Sequence, residues 1–200
     1  MDAIDFLPLG AAAALAAGVA AREFNASWQI TALIAAFAAL LTTLFLRGAG
    51  VDASHAAYGA SALLLLALIA ESDRRNFIVP DLLVLGLFAL FSFAPFKPDW
   101  QMQAIGALGC GGLLLIVRQS YAALRGADGL GLGDVKLAAA IGFMLGPVNA
   151  LIAITIGCAA MAVVTLARAN GAAGVRMAPL GLGLSAAAAC MVIAQILSAA

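Results

Sequence analysis

Two aspartates sit at the margins of long apolar runs in a chain with few charges. Asp73 lies in Glu71-Ser-Asp73-Arg-Arg-Asn-Phe-Ile-Val-Pro80-Asp81, and Asp134 closes Gly129-Leu-Gly131-Leu-Gly133-Asp134 before Val135-Lys136-Leu137. A carboxylate within or at the end of a membrane helix costs several kcal/mol, so such residues are functional candidates by default. If the two meet, adjacent like charges leave one acid protonated and one ionised. The ionised member takes a proton from water while the protonated member polarises a scissile carbonyl, which is acid–base hydrolysis of a peptide bond.

The elements that must bring these carboxylates together are membrane helices. Hydrophobic residues make up 65% of the 200-residue chain, charged residues 10%, and the mean hydropathy is +1.11. Soluble domains carry roughly 45–50% apolar and about 25% charged residues, so an ordinary soluble globule is excluded. Ten basic and ten acidic side chains balance, and no basic stripe points to nucleic acid. Cys110, Cys158 and Cys190 stand far apart with no C-x-x-C pair, which supports neither a zinc knuckle nor a disulfide framework. They read as small packed side chains.

Apolar runs fall at Leu7–Ala21, Trp28–Leu46, Ala56–Ala70, Leu82–Phe96, Met102–Val117, Val135–Gly146, Val148–Ala167 and Pro179–Ser198. A span of roughly 30 Å needs about 20 helical residues, so several runs borrow flanking residues. The expected fold is an all-α polytopic membrane protein of about eight transmembrane helices. Asp2 and Asp5 replace the positive flank of a signal peptide, so the first run reads as a helix that stays. With the loop after Ala70 in the cytoplasm, Arg22, Arg74, Arg75, Arg118, Arg125, Lys136, Arg168 and Arg176 lie inside, and only Arg47 and Lys97 lie outside. That distribution obeys the positive-inside rule. Both aspartates then fall on the cytoplasmic side.

Local sequence suits this placement. Pro80 fits the first turn of a helix, and Gly131 and Gly133 permit backbone shapes closed to other residues. The run from Asp134 to Pro147 gives about 20 Å of helix, short enough for water to reach Asp134 from the membrane surface. Lys136 either tunes the carboxylates as a nearby cation or anchors its helix end by snorkelling. Glu71, Asp81 and Asp128 are candidates for an acidic mouth. His55, on the outer side, reads as a solvated loop residue remote from the chemistry. The glycines and alanines elsewhere read as helix-packing positions.

From about Ala56 to the end, the chain resembles the bacterial type IV prepilin peptidases, membrane aspartyl proteases of the GxGD class. The segment Gly129-Leu-Gly-Leu-Gly-Asp-Val-Lys-Leu-Ala-Ala-Ala-Ile-Gly-Phe-Met-Leu-Gly146 is similar to the family signature G-x-G-D-x-K-L-x-A-x-x-G-x-x-L-G. Asp73, with Pro80-Asp81 following, looks like the setting of the family's first aspartate. Ala178-Pro179-Leu180-Gly181 is loosely similar to a P-F-G-P segment and receives no role.

The resemblance implies that Asp73 and Asp134 are the catalytic pair, with no metal or other cofactor, in the bacterial inner membrane with the site facing the cytoplasm. It implies a prepilin or pseudopilin substrate whose short basic leader is removed after a glycine, with Glu71, Asp81 and Asp128 as candidate leader contacts. Without C-x-x-C pairs, the chain looks like the short members that lack the cysteine-based zinc and methyltransferase domain, such as those of tight-adherence pili. Residues 1–55 are expected to form two helices of unassigned role and residues 56–200 a six-helix catalytic unit. Two rival readings use the same aspartates: a non-catalytic assembly factor, and an ion- or proton-coupled transporter.

Overall fold

The computed structural model describes residues 50–126, 129–169 and 179–199. The helices expected before residue 50 lie outside the described residues, as does Asp128. Five helices follow in order: α1 (Ala53–Asn76), α2 (Asp81–Phe93), α3 (Trp100–Arg125), α4 (Leu132–Ala169) and α5 (Leu180–Ala199). All but α2 are long and apolar enough to cross a membrane. On α3 the side chains of Leu108, Leu113 and Ile116 are exposed, as are Val163 and Leu166 on α4. These are the faces of a protein whose solvent on that side is lipid.

Helix α4 is two rods. Gly146 adopts φ 73° and ψ 173°, and Pro147 follows it. Glycine tolerates the positive φ, and proline cannot donate the hydrogen bond that would continue the first rod. The chain reverses there: the first turn of α5 lies beside Val79, which packs on Gly133 of the first rod, and beside Gly157 and Met161 of the second, whereas straight helix would hold Gly133 and Gly157 about 36 Å apart. The separate runs Val135–Gly146 and Val148–Ala167 are thus the two arms of a hairpin. Its first arm, residues 132–145, is about 21 Å long, less than a full crossing.

The run Leu82–Phe96 had been expected to cross the membrane, but α2 has only 13 residues. At about 20 Å it is too short. Pro95 is the reason: the residue before a proline is pushed out of the helical region, and Ala94 is extended at φ −62°, ψ 136°. Among the described residues, four helices are therefore long enough to span.

The arms pack through small residues. A Cβ on Gly106 of α3 would fall 2.1 Å from the carbonyl oxygen of Gly142, and one on Gly142 would fall 2.1 Å from that of Gly106. Further along, a Cβ on Gly157 would meet the Gly183 carbonyl oxygen at 2.8 Å, joining the second arm of α4 to α5. Leu64, Leu65, Ile69, Leu83, Leu137 and Ile141 fill the buried centre. At the end opposite Asp73, Gln103 donates to the Phe91 carbonyl at 3.1 Å. His55 corrects its expected place in a solvated loop: it lies in the first turn of α1, half-buried, with its ring stacked on Phe96 at 5.7 Å.

Helix α1 ends in a strained cap. Phe77 is left-handed at φ 55°, ψ 34°, and its N–H donates to the Asp73 carbonyl at 2.9 Å. A side chain in that conformation costs roughly 1–2 kcal/mol, and Phe77 is 51% exposed, with little packing to offset the cost. Phe77→Gly is expected to stabilise the solubilised protein by about 1 kcal/mol, read as a rise in thermal midpoint. A fall would mean that the aromatic ring carries contacts larger than the strain.

Candidate active site

Asp73 occupies the last turn of α1 and is only 4% exposed. Its Oδ2 accepts the backbone N–H of Leu182 at 2.9 Å, and the N–H of Gly181 also donates to the carboxylate. The first N–H groups of a helix have no partner within it and carry its positive dipole end. Asp73 therefore serves as the missing cap of α5, from a helix far away in sequence. Sequence reasoning missed this contact, although Pro179 before the first turn and Gly181 within it carried the signal of a helix start.

Asp134 lies in the first turn of α4, where the backbone N–H of Gly131 donates to its carboxylate. Its Oδ1 is buried and has no hydrogen-bond partner among the described residues. Buried polar atoms are nearly always paired in native proteins. An orphaned acceptor at this point is one that a reagent, water or a substrate amide would satisfy. Val79 packs against Gly133, the residue before Asp134, and against Gly181, which itself packs against Asp73, and the charge of Asp73 acts on Asp134, so the bundle brings the two sequence-nominated carboxylates to one place.

The glycines make room for this approach. A Cβ on Gly131 would lie 3.1 Å from Asp134 Oδ2, one on Gly133 would lie 2.8 Å from Val79 Cβ, and one on Gly181 would lie 3.0 Å from Asp73 Cγ. The first two belong to the glycine-rich run read from the sequence. Gly181 does not, and it approaches Asp73 as closely as they approach their neighbours.

The other nominated residues are engaged elsewhere. Lys136 Nζ donates to both carboxylate oxygens of Asp81, at 2.7 and 2.9 Å. It ties the start of α4 to the start of α2, and its ion-pair partner is Asp81 rather than an aspartate of the pair. Both side chains are well exposed, so the pair contributes about 0.2–1 kcal/mol. Pro80 stands at the N-cap position of α2, one residue before its first turn. Glu71 accepts two hydrogen bonds from Arg74, at 2.7 and 2.8 Å, and one from Arg75. Cys158, read from sequence as simple packing, stands within electrostatic reach of Asp134.

No curated protein and no solved structure matches the chain. A family model does, over residues 60–166, more than half of the sequence and a stretch that holds both aspartates and both arms of the hairpin. By that match, the chain belongs to the type IV leader peptidase family.

Proposed function

We propose that the protein is a membrane aspartyl endopeptidase that removes the short basic leader of type IV prepilins or pseudopilins at the cytoplasmic face of the inner membrane. The observation that carries this reading is the meeting of Asp73 and Asp134, two aspartates from separate helices, at one end of an apolar bundle. Membership in the leader peptidase family supplies the substrate class.

With one proton shared between them, the carboxylates complete the hydrolytic cycle. The ionised carboxylate takes a proton from water as the water oxygen bonds to the scissile carbonyl carbon. The protonated carboxyl gives its proton to the carbonyl oxygen, and a gem-diol forms. As the diol collapses, the C–N bond breaks, the amine leaves with a proton from one carboxyl, and a diol hydroxyl passes its proton to the other carboxylate as the carbonyl reforms, which restores the one-proton pair. Backbone donors from Gly181 and Leu182 hold Asp73 in orientation, and Gly131 does the same for Asp134.

Charge placement supports a cytoplasmic site. Arg74, Arg75 and Lys136 flank the carboxylate end of the bundle, and Lys97 lies beyond the opposite end of α2, as the positive-inside rule requires. The basic leader gains little from Glu71 or Asp81, since each is already matched by a basic side chain.

Co-expression with a candidate prepilin tests the activity. The expected result is a faster-migrating product whose N-terminus, read by mass spectrometry, begins just after the leader glycine. An unshifted prepilin across a panel of pilin-type substrates would overturn the proposal.

A further inference from the structure

The segment joining α1 to α2 packs between the parts of the chain that hold the two aspartates, and the buried side chain of Val79 is wedged there. Val79 is 9% exposed. On one side, a Cβ on Gly133, the residue before Asp134, would fall 2.8 Å from Val79 Cβ. On the other, a Cβ on Gly181, which donates its N–H to Asp73, would fall 3.1 Å from Val79 Cγ2 and 3.0 Å from Asp73 Cγ. Nothing larger than hydrogen fits at Gly133 while the valine is in place, and at Gly181 a methyl group would force its neighbours to give by a few tenths of an ångström. The valine therefore touches the backbone of both segments that hold the carboxylates.

Its own backbone is pinned from both directions. Ser72 Oγ donates to the carbonyl of Ile78, the preceding residue, at 2.8 Å, fixing the segment to α1. Pro80 fixes the backbone torsion after it, and Asp81 is held to α4 by Lys136 at 2.7 Å. The tether points thus lie on the elements that bear Asp73 and Asp134. A side chain held this way acts as a rigid spacer, and close packing transmits a change of one methyl group to its neighbours.

We propose that Val79 is a positioning residue that sets the separation of Asp73 and Asp134 by standing between Gly133 and Gly181. The inference rests on the aspartyl-peptidase reading above. Shape is what matters, because Val79 offers no polar atom to the reaction. Removing two methyl groups lets the segments around Gly133 and Gly181 move together. A displacement near 1 Å of catalytic groups costs up to about 100-fold in rate, and it acts on the chemical step rather than on binding.

The test measures prepilin cleavage by the solubilised full chain carrying Val79→Ala, Val79→Ile or Val79→Thr, with Asp73→Asn and Asp134→Asn alongside. Val79→Ala is expected to lower kcat about 10- to 100-fold with KM within about two-fold of native. Val79→Thr, which keeps both branches at Cβ and exchanges one methyl for a hydroxyl, is expected to keep kcat within about three-fold, and Val79→Ile, a thicker spacer, to lose kcat as Ala does. The pH profile of kcat, which reports the coupled pair, should change in the Ala and Ile variants and not in the Thr variant. Equal kcat in Ala and Thr, a loss confined to KM, or an unaltered pH profile in Ala and Ile would overturn the spacer role. If Val79→Ala does not accumulate, the comparison of Ile with Thr decides alone, and equal kcat in those two overturns it. Full activity in either asparagine variant would instead sink the aspartyl reading itself, so the two failures are distinguishable.

Discussion

Asp73→Asn and Asp134→Asn each reduce prepilin cleavage by about three orders of magnitude or more, with the protein still present in the membrane at its native level. Asparagine matches aspartate in size, and its amide oxygen can still accept a hydrogen bond. At position 73 that oxygen can take the N–H of Leu182, which now bonds Oδ2 at 2.9 Å, so the first turn of α5 keeps its cap. At position 134 it can take the N–H of Gly131. What neither amide can do is accept a proton from water and return it to the leaving amine. Asp73→Ala is a poorer test, because it leaves the α5 donors unpaired in a buried setting and costs about 1–3 kcal/mol of stability. The asparagine variants therefore separate chemistry from folding. A gel-shift assay of processed pilin against total enzyme decides the matter. Native-like processing by either variant removes that residue from the mechanism and revives a non-catalytic or transport role for the site.

The parts of this site that were legible in the sequence are those encoded locally. Gly131, Gly133 and Asp134 form a helix start whose glycines and carboxylate follow one another in the chain. Gly146-Pro147 marks the hairpin between the arms of α4 for the same reason: backbone freedom and a missing donor stand side by side. The contacts that complete the site are between residues distant in sequence. Asp73 meets Leu182 across 109 positions, and Lys136 finds Asp81 across 55. No periodicity records such a pairing. Lys136 could be read equally well as a partner of Asp134 or as a snorkelling anchor, because a flexible cation two residues from a carboxylate has many options until the fold places Asp81 within reach. The length of α2 was misjudged for a different reason: Phe91 to Phe96 is apolar enough to continue a span, and hydropathy outweighed the backbone restriction that Pro95 imposes.

The same glycine-rich character hides two classes of residue that sequence does not separate, and this sets up the largest expected effect on folding. Gly106, Gly109 and Gly112 all belong to α3. A methyl group on Gly106 would strike the backbone of Gly142 at 2.1 Å, whereas one on Gly109 or Gly112 meets nothing within 4 Å. Neither Gly106 nor Gly142 can yield by rotating a side chain, since the obstacle at each is the partner's carbonyl oxygen. The helices must separate, and membrane helices associate chiefly through such close packing. Gly106→Ala and Gly142→Ala are therefore expected to destabilise the protein by about 2–3 kcal/mol. Gly109→Ala and Gly112→Ala are expected to stabilise it by about 0.5–1 kcal/mol through helix propensity alone. Reversible unfolding in mixed micelles, followed by circular dichroism against the fraction of denaturing detergent, measures all four. The first arm of α4 carries Gly142 and Asp134 on one short rod, so the two damaging substitutions should also slow cleavage more than the loss of folded protein explains. Equal unfolding midpoints for Gly142→Ala and Gly109→Ala would mean that α3 and α4 do not meet at these glycines, and the placement of Asp134 that depends on that contact would fall with it.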